Sequence, residues 1–255
     1  MNLNRNEFFL LSEVVKKNFS AKYKDSTLGI IWTVLNPLLQ MTILTIVFST
    51  LFSRNIANYP VYVLSGKCVY SLFSKSCSVS LNAIRSNKYI LTKTAAPKHI
   101  FIIGGIISEF INFIIELLLL IGVMFATNAP FYINTMPLAI IPVISAVIMA
   151  VGVGLILSIC QVYYSDTGHI WRLFTMMLFY TCAIFYPMNL VREPIHTYLV
   201  LNPIFWLVDQ FRDFYIFGTM HNLLNIVNSL LLSTIILLCG LIVYKKFYKK
   251  IAMKI

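Results

Sequence analysis

Charge is scarce in this chain of 255 residues, and negative charge is the scarcest. Charged residues make up 11% of the chain, with 9 aspartates and glutamates against 20 lysines and arginines, whereas hydrophobic residues make up 59%. An average soluble domain is about 25% charged. The composition therefore excludes an ordinary soluble domain and indicates a membrane protein.

Signatures of nucleotide binding, metal binding and hydrolysis are missing as well. The Gly66-Lys67 pair is followed by cysteine inside an apolar stretch, so there is no G-x-x-x-x-G-K-[ST] loop and the chain is not expected to bind ATP itself. The motifs H-E-x-x-H, C-x-x-C and G-x-S-x-G are also absent from the sequence. No catalytic residue and no metal site is predicted.

The cysteines and histidines do not indicate a metal site or a disulfide framework either. The cysteines are odd in number and have no close pair, so we interpret them as small core residues rather than a disulfide framework or a metal site. They are Cys68, Cys77, Cys160, Cys182 and Cys239. The histidines never lie within four residues of one another and are interpreted as interfacial side chains. They are His99, His169, His196 and His221.

Long apolar stretches dominate what is present. A bilayer core needs about 20 mostly apolar residues per helix. Six stretches meet this length: 28–52, 61–82, 100–127, 136–162, 170–188 and 222–244. The predicted fold is an all-α integral membrane domain over 1–255, with a six-span core at 28–244 and a basic tail at 245–255. The segment 1–27 is polar or amphipathic, which predicts no cleavable signal before the first span.

Basic residues divide between the two predicted sides of the membrane. One side carries Arg5, Lys16, Lys17, Lys22, Lys24, Arg85, Lys88, Lys93, Lys98, Lys245, Lys246, Lys249, Lys250 and Lys254. The other side carries Arg54, Arg192 and Arg212. The positive-inside rule then predicts that both termini are cytoplasmic. Because the charges follow topology rather than forming one patch, nucleic acid is not expected as a partner.

Three segments outside the spans have helical character. Residues 5–20 can form an amphipathic helix in the cytoplasmic interface, with a solvated linker as the alternative; its apolar side carries Phe8, Leu11, Val15 and Phe19. The basic link at about 84–97 predicts a short cytoplasmic helix. The segment 189–221 contains an apolar run too short to cross, which predicts a re-entrant or interfacial helical pair on the outer face.

Two spans carry features that predict close packing. Pro37 removes a helical hydrogen bond in the first span, which predicts a kink packed against protein. Small residues recur every fourth position in the fourth span, and this stripe permits close approach of another helix unless the spacing is chance. The stripe is Ala146, Ala150, Gly154 and Ser158.

Ionisable residues inside the predicted spans are the sharpest polar signal. Lys67 and Lys75 lie in the second span, and Glu109, Asn112 and Glu116 lie on one face of the third. At 1.5 Å per residue their depths match, and buried charges in lipid are costly unless paired. The hypothesis is that Lys75 pairs with Glu109 and Lys67 with Glu116. The alternatives are a snorkelling Lys75, a wet cavity, or a proton relay through the glutamates.

An ordered set of segments resembles one family. "YKDSTLGIIWTVLNPLLQ" is similar to the start of the first transmembrane helix in permease subunits of ABC-2 type exporters of O-antigen, teichoic acid and capsular polysaccharide. "YPVYVLSGKCVYSLF" looks like the family's second helix, "NKYILTKTAAPKHI" its coupling loop, and "QVYYSDTG" the exit from its fourth helix. "YPMNLV" and "LNPIFWLVDQFRDFYIFG" resemble its outer re-entrant segment. The chain departs from the family pattern at Ala96, Ser165, Cys182-Ala183 and the charged Lys67.

The resemblance implies a membrane transport subunit rather than an enzyme. It implies two copies of this chain with two separate ATPase subunits, which bind ATP and Mg, while this chain binds no cofactor. It places the protein in the inner membrane. The residues implied in ATPase coupling are Arg85, Lys88, Tyr89, Lys93 and Pro97. The residues implied in the interface helix are Arg5, Phe8, Lys16 and Lys17. The charged run 22–27 would link that helix to the first span.

The resemblance also implies the cargo, an undecaprenyl-diphosphate-linked polysaccharide. Aromatic rings suit a sugar path because their faces contact pyranose C–H surfaces. The candidates for the channel are Trp32, Tyr70, Phe73, Phe179, Tyr180 and Tyr186. Arg5, Lys16 and Lys17 could attract the diphosphate headgroup, although anionic lipid would explain them equally well.

Other functions remain open from the sequence. An ABC-2 permease for a drug or lipid is one alternative, and an ion-coupled secondary transporter using Glu109 and Glu116 is a second. A membrane enzyme acting on lipid-linked sugar would need the outer acids Glu193, Asp209 and Asp213. These acids are more simply interpreted as partners of Arg192 and Arg212 that hold the outer hairpin together.

Overall fold

The structure, a computed structural model, describes residues 5–21, 28–29, 31–52, 56–94, 96–220 and 222–254. The charged run 22–27, Arg54 and His221 lie outside these residues, as does the side chain of Arg5. The helices are α1 (Arg5–Ala21), α2 (Ile31–Phe52), α3 (Tyr59–Ser86), α4 (Lys88–Lys93), α5 (Lys98–Ala126), α6 (Ile140–Tyr163), α7 (Thr167–Thr181), α8 (Ile195–Val200), α9 (Pro203–Arg212) and α10 (Leu223–Lys254). Short 3-10 turns at Met136–Ala139 and Met188–Leu190 and a π turn at Asp213–Phe217 join them, and no strand occurs in this described part.

Among the described residues, four helices are long and apolar enough to cross a membrane. They cover Ile31–Thr50, Lys98–Ala126, Met136–Tyr163 and Leu223–Tyr248. They coincide with the first, third, fourth and sixth predicted spans. The described residues are thus helical without strands, as predicted, and include four helices suited to a membrane by length and composition.

The other two predicted spans have different outcomes. The helix α3 has 28 residues and is about 42 Å long, sufficient to cross, but its serines and lysines make it less apolar, so its crossing stays a prediction. The helix α7 has only 15 residues, about 22 Å against a core of about 30 Å. The helix ends at Thr181, so 170–188 is not one continuous helix, and the fifth span stays a prediction.

The centre of the fold is the packing of α6 between α3 and α10. The predicted small-residue stripe faces α3: Ala146 and Ala150 are fully buried, the Cys77 thiol lies 3.9 Å from the Ala150 carbonyl oxygen, and a Cβ added at Gly154 would come within 2.7 Å of Ser80. The stripe prediction is confirmed. Small residues allow α3 and α6 to approach closely where larger side chains would hold them apart.

A second close approach joins α6 to α10. A Cβ at Gly152 would lie 2.6 Å from the carbonyl oxygen of Ile236, and one at Gly240 would collide with the backbone of Gly152. Both obstacles are backbone atoms, which cannot rotate away. The two helices therefore cross at a glycine on each side, as in other tightly packed membrane helix pairs.

The first helix, α1, packs along the beginning of α5. Val14 is 5% exposed, a Cβ at Gly104 would come within 2.7 Å of it, and Ser108 Oγ donates to the Val15 carbonyl at 3.4 Å. Phe8, predicted on the apolar side, is 65% exposed. The helix prediction is confirmed, but Val14 fills the groove over Gly104 and turns Phe8 outwards.

Three further predictions concern Pro37, the basic link at about 84–97 and the segment 189–221. Pro37 is buried and lies inside α2, while the kink itself stays a prediction. The predicted cytoplasmic helix at about 84–97 is reduced to the six residues of α4, because residues up to Ser86 continue α3. Two short helices, α8 and α9, lie within 189–221, whereas their re-entrant or interfacial placement on the outer face stays a prediction.

Gly152→Ala should loosen the α6–α10 crossing. The added methyl must displace backbone, and overpacking of this kind costs about 1–3 kcal/mol. The expected result is a fall of several degrees in melting temperature in detergent. The matched control is Gly122→Ala, where a Cβ would meet nothing within 4 Å; it should be neutral or slightly stabilising. Equal effects of the two variants would contradict the close crossing.

Candidate functional site

The helix α7 breaks at Cys182, and residues 182–187 form an unwound segment before the next 3-10 turn. Ala183 has a φ of +50°, a left-handed conformation that is uncommon for residues other than glycine. Cys182, Ala183 and Ile184 are all buried. An unwound backbone away from water needs partners for its carbonyl groups, because the helix no longer supplies them.

Arg212 at the end of α9 supplies two of these partners. Its Nη1 donates to the Ala183 carbonyl at 2.9 Å and its Nη2 to the Ile184 carbonyl at 2.9 Å. The side chain is 2% exposed and lies over the Tyr62 ring at 3.6 Å. A Cβ at Gly66 would collide with the guanidinium, so a glycine on α3 makes room for it. The sequence interpretation of Arg212 as a partner of the outer acids did not include this role; the charge of Asp209 also attracts the guanidinium through space.

Two tyrosines of α3 supply the other partners. Tyr59 donates its hydroxyl to the Phe185 carbonyl at 2.6 Å, and Tyr62 donates to the Tyr186 carbonyl at 3.1 Å. With Arg212, side chains therefore satisfy four successive carbonyls of the unwound segment. We call these three residues, Arg212, Tyr59 and Tyr62, the carbonyl clamp.

Asn202 joins the α8–α9 hairpin to the same break. Its Oδ1 accepts from the Ile204 amide at 3.0 Å, which caps α9. Its Nδ2 donates to Thr181 Oγ1 at 2.8 Å. The Asn-Pro pair that marks the outer segment in the sequence thus fixes the end of α7 as well as the start of α9.

Aromatic rings surround the C-terminal end of α7. Successive ring centroids lie between 5.0 and 6.1 Å apart in a cluster made of Phe48, Tyr70, Phe179, Tyr180, Phe185 and Tyr186. Four of the proposed channel residues therefore come together, and Phe48 and Phe185 were missed. Phe73 is only 3% exposed and contacts Trp171 instead. Trp32 lies on α2 with 36% of its surface exposed.

The charged residues of α3 and α5 pair differently from the prediction. Lys75 Nζ lies 2.6 Å from Glu116 Oε1, and Ser71 Oγ donates to Glu116 Oε2 at 2.7 Å. The pairing of Lys75 with Glu109 is wrong. Lys67 attracts Glu116 through space, but within the described residues it forms no ion pair with it inside 4.0 Å. Asn112 donates to Glu109 at 3.0 Å.

Side-chain direction explains the difference. The backbones do meet at the expected depth, since the Cys68 thiol lies 3.7 Å from the Glu116 carbonyl oxygen. In a helix, however, each side chain tilts towards its own N-terminus. Because α3 and α5 are antiparallel, Lys75 and Glu116 tilt towards each other and meet beside Ser71. Matching depths along the axes alone could not show this.

One of the predicted interface residues, Lys17, reaches the end of α3, where the predicted coupling residues begin. Lys17 of α1 donates to Asn87 Oδ1 at 2.8 Å, and Asn87 donates to the Ala83 carbonyl at 2.8 Å. Asn87 thus ties α1 to the joint between α3 and α4. Around this joint Arg85, Lys88, Tyr89 and Lys93 are exposed, Pro97 precedes α5, and Lys16 pairs with Glu13 at 3.0 Å.

Tyr89 is the most prominent aromatic residue of α4. Its ring is 70% exposed, and Lys93 Nζ lies 4.0 Å from the ring centre. The lysine keeps the ring in place without covering it. An exposed aromatic residue held in this way is the kind of side chain that anchors protein interfaces.

Glu193, one of the three acids considered for catalysis, does not show the features of a general acid. Glu193 accepts from Thr197 Oγ1 at 2.7 Å and lies 3.3 Å from His196 Nδ1. The bond from Thr197 holds the pKa of Glu193 below its usual range, whereas a general acid needs a raised one. Within the residues described, no group of three or more histidine, cysteine, aspartate and glutamate side chains could hold a metal.

Comparison with known proteins is consistent with this architecture. The ABC-2 type transporter family model matches residues 10–216. The chain is 26% identical over 249 residues to the O-antigen export system permease protein RfbA of Klebsiella pneumoniae, covering 96% of this chain and 94% of that protein. It is 24% identical over 207 residues to RfbA of Myxococcus xanthus, covering 80% and 78%. It is 20% identical over 231 residues to the polysialic acid transport protein KpsM of Escherichia coli, covering 90% of both.

Arg212→Lys should destabilise the unwound segment. One ammonium cannot reproduce the fork that reaches two carbonyls, and each buried group left unpaired costs about 1–3 kcal/mol. The expected result is a clear fall in melting temperature in detergent. Arg192→Lys is the matched control, because Arg192 is exposed on the same outer segment. Similar melting temperatures for the two variants would show that Arg212 does not stabilise the unwound segment.

A double-mutant cycle should detect the Lys75–Glu116 pair. Breaking a buried pair costs about 3–5 kcal/mol, and we expect less here because the Lys75 side chain is 47% exposed. Lys75→Met and Glu116→Gln should therefore be non-additive in unfolding free energy. Lys75→Met and Glu109→Gln should be additive within about 0.5 kcal/mol. The reverse pattern would restore the pairing with Glu109.

Proposed function

Because the chain belongs to the ABC-2 type transporter family, we propose that it is the permease subunit of an exporter that moves undecaprenyl-diphosphate-linked polysaccharide across the inner membrane. The observation that carries the proposal is the similarity to O-antigen and capsule-type permeases over nearly all of the chain. The absence of a phosphate-binding loop in the sequence agrees with it. ATP and Mg then belong to a partner subunit, and this chain binds no cofactor.

The proposed topology has six spans and cytoplasmic termini in one domain over 1–255. In it α3 is the second span, and α7 together with the unwound segment is the fifth. The hairpin of α8 and α9 then lies re-entrant on the outer side. The carbonyl clamp supports this arrangement, because an interrupted helix is tolerated at membrane depth only where protein satisfies its backbone.

The proposed assembly contains two copies of this chain and two ATPase subunits. A passage for a polymer needs more wall than six helices supply. Apolar side chains on α2 offer such a wall: Ile43, Ile46 and Val47 are each more than half exposed. A second copy covering part of α2 would enclose a channel between the two chains.

In this channel the aromatic cluster supplies the sugar path near the outer side. Tyr180 is 52% exposed, and its neighbour Phe179 is partly exposed. Ring faces that remain accessible can contact sugar C–H surfaces weakly at several places, which permits movement. Phe73 contributes by packing and not by contact with cargo, because it is buried.

The ATPase would act on α4, and α1 would move with it. Tyr89 and its basic neighbours present the exposed surface, while the Lys17–Asn87 bond ties α1 to the same joint. The ion-coupled alternative is less well supported, because Glu116 is held by Lys75 and Ser71 and would have to leave both to carry a proton. No observation favours a drug or lipid cargo.

The coupling surface can be tested by co-purifying the permease with the ATPase encoded beside it. Tyr89→Ala should weaken ATPase association about tenfold or more, since buried aromatic anchors contribute at least 1–2 kcal/mol each. Tyr198→Ala is the matched control: the two rings are 70% and 69% exposed, but Tyr198 lies on the proposed outer side. ATP turnover with and without lipid-linked glycan then tests the cargo. An ATPase that never associates would overturn the exporter proposal.

A further inference from the structure

A polar cavity of about 420 Å³ lies between α3, α6 and α7. One wall comes from α3 at Ser78, Asn82 and Arg85, whose spacing places them on one helix face. The opposite wall is the first part of α7, including His169 and Arg172. The volume is within the range of small-molecule sites. In the proposed topology the cavity opens near the cytoplasmic side.

The charge of this cavity is one-sided. Arg85 and Arg172 approach it from opposite walls, and His169 adds a third basic group. None of the described residues that line it carries a carboxylate. Cations gathered in a concave site without a counter-charge attract anions, and arginine in particular matches the geometry of phosphate oxygens.

The floor of the cavity provides hydrogen-bonding groups for an uncharged part of a ligand. Gln161 is 7% exposed, and its buried Oε1 has no hydrogen-bond partner. Trp171 spans the gap between α7 and α3 by donating to Ser78 Oγ at 3.0 Å. A buried acceptor without a partner is costly, and a ligand hydroxyl would satisfy it once the Gln161 side chain turned its amide oxygen towards the cavity.

We propose that this cavity binds the diphosphate of a lipid-linked substrate, with Arg85 and Arg172 on the phosphates and Gln161 accepting from a hydroxyl of the first sugar. The identity of the substrate rests on the proposed function, whereas the affinity for diphosphate does not. The first turn of α7 borders the cavity through Gly168 and His169, and its helix dipole favours an anion there. Neither Arg172 nor Gln161 had been singled out from the sequence.

The test is calorimetric titration of the full-length permease in a neutral detergent with farnesyl diphosphate, a short lipid diphosphate. Farnesol and inorganic pyrophosphate serve as parallel probes. We expect Arg172→Gln to weaken farnesyl diphosphate binding about tenfold and Arg85→Gln with Arg172→Gln to weaken it further. Arg192→Gln, an exposed arginine outside the cavity, should bind like the wild type, and melting temperatures should show that all variants are folded.

Each probe has a distinct consequence. Tighter binding of farnesyl diphosphate than of both other probes indicates a lipid headgroup site, while equal binding of pyrophosphate indicates a site for free diphosphate. Equal affinity for farnesol, or unchanged affinity in the Arg172→Gln variant, would overturn the proposal and leave these arginines as determinants of topology. A site that persists in a permease that moves no lipid-linked glycan would defeat the proposed function and not the site.

Discussion

The rest of the structure depends on the need to satisfy backbone carbonyls where α7 stops being helical. Away from water, each unpaired carbonyl costs as much as a lost hydrogen bond. Arg212 meets this need by bringing a planar donor group to two of them. The use of Arg212 for this purpose sets three other features of the fold. The helix α9 must end beside α3, and Gly66 must lack a side chain. Asn202 must hold the α8–α9 hairpin at the correct distance from Thr181.

The polarity of α3 follows from the same constraint. Its serines, lysines and tyrosines do not form a face exposed to water, because most residues of the helix are buried. Several of these polar side chains contact other segments: Tyr62 contacts the unwound segment, Ser71 and Lys75 contact Glu116, and Ser78 contacts Trp171. Between membrane helices hydrogen bonds and close packing replace the hydrophobic effect as the source of association. This explains why α3, which packs against several other segments, is the least apolar of the long helices.

The sequence was sufficient for features set by local pattern and insufficient for those set by tertiary geometry. Hydropathy located four spans, and spacing located the small-residue stripe on α6. Hydropathy could not show that α7 ends at Thr181, because the apolar residues of the unwound segment count equally as helix. Arg212 was taken for a topological charge, although its position as the last residue of the largely apolar Pro203–Arg212 helix, together with Gly66 on α3, was a signal that it is buried. The charge pairing failed because depth along a helix axis omits side-chain tilt.

In the proposed topology, where α3 crosses the membrane, these contacts would give it a mechanical role between the two sides. It is a single helix of 28 residues without an internal proline beyond its first turn, so it should move as a rigid rod rather than bend. At one end Asn87 binds Lys17 and leads into α4; at the other, Tyr59 and Tyr62 hold the unwound segment. The Lys75–Glu116 pair makes α5 follow. A displacement imposed on α4 would therefore reach the aromatic cluster without any change inside α3. The unwound segment is held by side chains rather than by helical hydrogen bonds. It is therefore the place where this motion can be converted into opening of the proposed channel.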